Sequence, residues 1–204
     1  DLLCAVRAIA QGPLAQRAQA IDEGAYPEDI LRQLAAAGAM SAHIDRPGHT
    51  GDYMTTIAAM AEAGKVCGAT AFMMWCQSVC ALYMDASGNP ALAGERLSAH
   101  MAGQTLGGTG LSNPMKSFAQ IETFLLKATP VEGGYLVNGT LPWVSNLASN
   151  HCFGAIASVQ ATDGTPGKEV MFMLNCNAPG VSLKACPKFS GMEGTGTYSV
   201  HCKD

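Results

Sequence analysis

Charge is scarce in this sequence. Only 14% of its 204 residues are Asp, Glu, Lys or Arg, against about a quarter in an ordinary soluble domain. The shortfall predicts that part of the surface is covered by a missing domain, an oligomer partner or a large cofactor. The net charge of −4 comes with no Lys/Arg block, which argues against nucleic acid and anionic membrane as partners. The eight cysteines include no CxxC pair, and the chain is neither small nor loop-rich, so reduced thiols in a cytoplasmic setting are expected rather than a disulfide scaffold. The opening "DLLCAVRAIAQGP" has no basic n-region and no small-residue cleavage site, so no signal peptide is read there; the missing initiator Met places the expected N-terminus upstream. There is no internal repeat and no low-complexity tract.

One stretch, "VCGATAFMMWCQSVCALYM" from Val66 to Met84, carries no formal charge. Thr70, Gln77 and Ser78 interrupt it, and its hydropathy rests on Ala, Cys and Met. A helix buried on all sides is therefore expected rather than a membrane span. Cys76, Cys80, His151 and Cys152 contain the residue types of a zinc site, but free cysteine is so often a small core residue that no metal is expected.

Residues 1–103 have helical periodicity. Leu2, Leu3, Val6, Ile9 and Ala10 fall on one stripe, Gly12-Pro13 interrupts it, and "LAQRAQAI" resumes it. In "YPEDILRQLAAAGA", Pro27 suits a first turn, Glu28 and Asp29 suit the positive end of the helix dipole, and Gly38 suits a C-terminal cap. "HIDRPGHTGD" reads as a loop. Helices are then expected over about 52–66, 70–86 and 90–101, with Asp45, Asp52 and Asp85 as loop and helix-end charges.

From residue 104 the period changes to two. "YLVNGTLPWVS" predicts a tight hairpin turning at Asn138-Gly139, and Glu132-Gly133-Gly134 marks another turn. Pro142 lacks a backbone donor and suits an edge or a bulge. "CFGAIASV", "EVMFMLNC" and "VSLKAC" read as strands, divided by turns at "TDGTPGK" and "NAPG". Met171, Met173 and Met192 read as core filling. The expected fold class is α+β: an N-terminal all-helical domain, 1–103, then a small β-barrel or sandwich domain, 104–204. The joint holds "GLSNPMKSF", residues 110–118, which reads as a loop.

Three segments carry a resemblance: "GLSNP…S", "VEGGYLVNGTLPWVSN" and "PGVSL…FSGMEGTGTYSVHCKD". Together they resemble the middle β domain of acyl-CoA dehydrogenases, and "GAMSAHIDRPGHTGD" resembles that family's helical domain. The resemblance implies FAD as cofactor, an acyl-CoA-type substrate, a homo-oligomer (dimer or tetramer), no insertion into a membrane, and α,β-dehydrogenation with hydride transfer to the flavin. It implies that Leu111 and Ser112 lie along the flavin's pyrimidine edge, that Ser117 donates to the pyrophosphate, that Trp143 packs on the isoalloxazine, and that Ser145 bonds near N5. The catalytic base and the helical bundle that carries it are expected beyond Asp204. Lys116 is either a substitute phosphate partner or solvated. The resemblance also implies that helices around residues 70–100 line part of a substrate pocket, which "FMMWCQSVCALYM" either closes or leaves while filling the core. Without the resemblance, Trp143 equally suits a core, Ser112 and Ser117 a turn, and Ser145 a strand end. A flavin monooxygenase or oxidase on the same scaffold, and a non-catalytic binding module, remain as alternatives.

Overall fold

The computed structural model describes residues 1–160 and 167–203. Six of the residues around the turn expected at "TDGTPGK" lie outside the described residues. The chain divides into two compact units, one of Asp1–Gly107 with Lys188–Gly196 and one of Gly108–Pro187 with Thr197–Asp204.

The first unit is helical: α1 Leu2–Ile9, α2 Ala15–Asp22, α3 Glu28–Ala36, α4 Tyr53–Gly64, α5 Gly68–Ala86, α6 Pro90–Ala93 and α7 Glu95–Met101. Helix starts follow capping chemistry. Asp1, Asp52 and Asn89 accept from the backbone of α1, α4 and α6, each satisfying donors that a helix leaves orphaned at its first turn. Gly12-Pro13 interrupts the helix, as expected. Gly12 leaves the helical conformation and kinks the chain over Ala10–Leu14, between α1 and α2. Gly94 splits the expected 90–101 helix into α6 and α7. Val6, Leu14, Ile21, Ile30, Leu31, Leu34, Met73 and Met74 are fully buried and share one core. Burial of each such side chain stabilises the fold by about 1.5–3 kcal/mol.

The α5 helix departs from the expected all-round burial. Met73, Met74, Cys76, Cys80 and Met84 are buried, whereas Phe72 and Trp75 stay exposed, stacked on each other at 5.7 Å. Among the described residues no helix is long and apolar enough to cross a membrane. Cys76 and Cys80 serve as core on α5, and burial pushes the Cys76 thiol up to about 12, holding it protonated.

The Lys188–Gly196 segment completes this unit. Asp22 accepts from the Met192 amide at 2.8 Å, and Gly194 lies so close to the Ile21 and Ala25 carbonyls that a Cβ would overlap both. Met192 is partly exposed with φ +59°, and Met171 is also exposed; neither fills the core as expected.

The second unit, with Gly107 at its border, holds a sheet that among the described residues has seven strands: β1 Gly107–Thr109, β2 Leu126–Val131, β3 Gly134–Val144, β4 Cys152–Val159, β5 Glu169–Asn175, β6 Val181–Ala185 and β7 Tyr198–Cys202. The strand order is β1-β4-β2-β3-β7-β6, with β5 paired to β4. Antiparallel pairs dominate, and the short β2–β4 contact is parallel. Leu126, Ala128, Leu141, Val144, Phe153, Ala155 and Val200 form its core. Val170, Phe172 and Leu174 pack against that core, which turns Met171 and Met173 to the other face of β5.

The hairpin expected at Asn138-Gly139 is not there. β3 runs straight through both residues, and the turn falls at Glu132-Gly133, between Val131 and Gly134. Gly139 pairs with Leu126 on one side and Cys202 on the other at φ +136°, and a Cβ would overlap the Leu125 carbonyl. Its glycine serves a close backbone approach inside a strand. Pro142 does sit at a bulge: the β3–β7 register gains one residue on β3 between Leu141 and Val144.

Candidate functional site

That bulge helps to form the wall of a cleft. At Pro142-Trp143 the pleat of β3 is broken, and Trp143 stays half exposed at 50%. Facing it is the "SNPMKSF" segment, which is a seven-residue helix, α8 Ser112–Phe118, and not the expected loop. Pro114 is its third residue, where a missing amide costs nothing because first-turn amides have no intrahelical partner. Gly110 brings the chain into place before α8, its amide bonding the Gly154 carbonyl at 2.7 Å where a side chain would crowd Leu141. The resulting cleft, about 120 Å³, is lined by Ser112, Asn113, Lys116, Glu122, Pro142 and Trp143, with Gly110, Leu141 and Val144 at its floor.

One residue organises its polar side. Asn113, 4% exposed, donates to the Glu122 carboxylate at 3.1 Å and the Thr123 carbonyl at 2.9 Å, and accepts from the Leu125 amide at 2.9 Å. Glu122 in turn receives Lys116 Nζ at 2.8 Å. Lys116 first and Asn113 second hold the Glu122 carboxyl below the usual carboxylate range. Residues 112–125 are thereby folded back on themselves, with Met115, Phe118 and Ile121 left exposed.

The predicted residues divide as follows. Ser112 and Trp143 line the cleft together. Leu111 caps the start of α8 and is half-buried. The Ser117 hydroxyl is enclosed yet has no hydrogen-bond partner among the described residues. Ser145, just past β3, shares a 2.6 Å hydrogen bond with the Thr197 hydroxyl. Leu111, Ser117 and Ser145 are not among the lining residues. Asn113 and Glu122 were not singled out from sequence, since their pairing depends on a fold-back of nine residues that no local spacing announces.

The helical unit has a separate cavity of about 200 Å³, with Tyr53, Ile57 and Met60 of α4 and Trp75, Val79 and Leu82 of α5 on its walls. Its polar corner is His43. Nε2 donates to the Ser78 carbonyl at 3.0 Å, and the ring lies 5.5 Å from Tyr53. Burial lowers the His43 pKa, so at neutral pH the cavity presents an uncharged imidazole. Trp75 thus walls a cavity while Met73, Met74, Cys76 and Cys80 fill the core, so the "FMMWC" run does both.

The sequence profile of the acyl-CoA dehydrogenase N-terminal domain matches residues 1–104. Isovaleryl-CoA dehydrogenase, mitochondrial, of Oryza sativa subsp. japonica is 27% identical over 96% of this chain and 49% of its own. Butyryl-CoA dehydrogenase from Megasphaera elsdenii has the same fold over 100% of this chain and 55% of its own, with a TM-score of 0.85 at 21% identity. A glutaryl-CoA dehydrogenase from Mycobacterium smegmatis, solved in complex with FADH2, matches over 100% of this chain and 52% of its own, with a TM-score of 0.83 at 17% identity. The chain spans about half the length of the curated relatives it matches. It belongs to the acyl-CoA dehydrogenase family.

Proposed function

We propose that the protein is an FAD-dependent oxidoreductase acting on an acyl thioester, and that the cleft of the β unit holds the flavin. The observation that carries this is the match between cleft and ligand. A half-exposed indole, a serine hydroxyl and a lysine line it, and beside it an enclosed serine hydroxyl lacks a partner. A flavin dinucleotide calls for this set: a flat apolar wall for the ring, neutral donors for its oxygens and nitrogens, and donors for a diphosphate.

In this reading Trp143 covers one face of the ring and excludes water from it, while Ser112 and the backbone at Leu111 donate to its polar edge. Ser145 is oriented by Thr197, so its hydroxyl has a fixed direction, and Ser117 donates to the diphosphate. When bound, FAD supplies a two-electron acceptor for the β-hydrogen of the acyl group. The apolar cavity of the helical unit, with its neutral His43, suits the uncharged hydrocarbon part of such a substrate. The carboxylate that takes the α-proton is assigned to no residue of this chain. The low charge content supports a homo-oligomer.

The test is gel filtration of the chain with added FAD, monitored at the visible flavin band. Flavin should travel with the protein, and Trp143→Ala should weaken its binding about tenfold while leaving the circular dichroism unchanged. Flavin absent from the folded protein, or held equally well by the alanine variant, would refute the assignment.

A further inference from the structure

Among the described residues that line the cleft, Lys116 is the one base, and it sits on the same short helix as the partnerless hydroxyl of Ser117. Its side chain bonds Glu122 at 2.8 Å, its one hydrogen-bond partner among the described residues, and both side chains are about half exposed, at 48% and 38%. A pair so open to water is weak and easily exchanged. Its two members are not held equally. Glu122 Oε2 is also bonded by Asn113, which is itself buried and fixed to Thr123 and Leu125. The carboxylate therefore stays seated if the lysine leaves, whereas the lysine has a long flexible stem and can swing away.

A diphosphate carries more charge than a carboxylate, has only acceptor oxygens, and binds a lysine as a point charge. We propose that Lys116 is the diphosphate-binding cation of this cleft and that Glu122 is a resident anion occupying it until the ligand arrives. The proposal rests on the flavin reading of the cleft for its ligand, and extends it by naming a residue pair that sets the affinity. Glu122 then has two opposed effects. It holds Lys116 over the cleft, and it repels the ligand once the lysine has changed partner. Removing its charge without its shape should strengthen binding.

The experiment is calorimetric titration of the chain and of three variants, each checked for folding by circular dichroism, with FAD, ADP and inorganic pyrophosphate. Lys116→Gln should weaken all three ligands about tenfold and reduce the salt dependence of binding. Lys116→Arg should restore binding to within about threefold, and Glu122→Gln should tighten it about threefold or more. If the pair were only a clasp for the 112–125 segment, the Lys116→Gln and Glu122→Gln variants would weaken binding alike, and the proposal would fall. It would also fall if the folded wild-type chain bound none of the three probes. FAD bound with no response to Lys116→Gln removes this proposal and leaves the flavin reading standing. Pyrophosphate and ADP bound through Lys116, with FAD rejected, removes the flavin reading and leaves the cation site.

Discussion

Replacing Gln77 by leucine tests whether the connection that leads toward the cleft is pinned by side-chain hydrogen bonds. Gln77 is 1% exposed on α5, with its amide group fully used. Nε2 donates to the His100 carbonyl at 3.1 Å and the Thr105 carbonyl at 3.0 Å, and Oε1 accepts from the Gly107 amide at 2.8 Å. The Gln77 carbonyl also accepts from His100 Nε2 at 3.1 Å, which leaves Nδ1 to accept from Thr105. Leucine matches glutamine closely in volume and helix propensity, so packing changes little. What is lost is three hydrogen bonds to buried backbone groups, each worth about 1 kcal/mol net and costing more when the partner is left unsatisfied. The expected destabilisation is about 3–5 kcal/mol, a downward shift of the urea midpoint by about 1 M or more at unchanged slope. Hydrogen exchange at the Gly107 amide should lose its protection in the same variant. A midpoint shift below about 0.3 M, with that amide still protected, would refute the account.

Two further outcomes follow from geometry and charge. Gly139→Ala forces a side chain into the Leu125 carbonyl at a positive φ, and the β unit should lose about 3 kcal/mol or more, read from its unfolding midpoint; a loss under about 1 kcal/mol would mean the two strands move apart at little cost. His43 has a folded pKa below its ordinary 6.5, so the unfolded chain takes up the proton first and stability falls as pH drops below about 6.5; at higher pH the group contributes no dependence. His43→Gln should flatten the stability–pH curve between pH 7.5 and 5.5, and an unchanged curve would place the effect on other groups.

Much of the helical unit was legible because its signals are local. Asp52 caps α4 and Asp45 accepts from Gly51 within six residues, so residue type and position sufficed. The failures share another cause. Asn138-Gly139 has the chemistry of a turn, but pairing with strands on both sides overrides it, and that pairing involves Cys202, far along the chain. Pro114 reads as a loop residue until α8 is seen to begin two residues earlier. The family pattern named Trp143 and Ser112, which line one cleft. The Asn113–Glu122–Lys116 arrangement is set by the path of residues 112–125, and no periodicity encodes that path.

The return of Lys188–Gly196 to the helical unit carries a consequence for the order of events during synthesis. Residues 1–107 leave the ribosome long before the nine that complete their unit, with residues 108–187 intervening. At about 5–20 residues per second, the helices wait roughly 4–16 s for the peptide that meets Asp22 and Ile21. During that interval the surface around α2 lacks its native cover, so the helical unit cannot mature ahead of the strands that intervene in sequence. Its completion is tied to the emergence of residues 188–196.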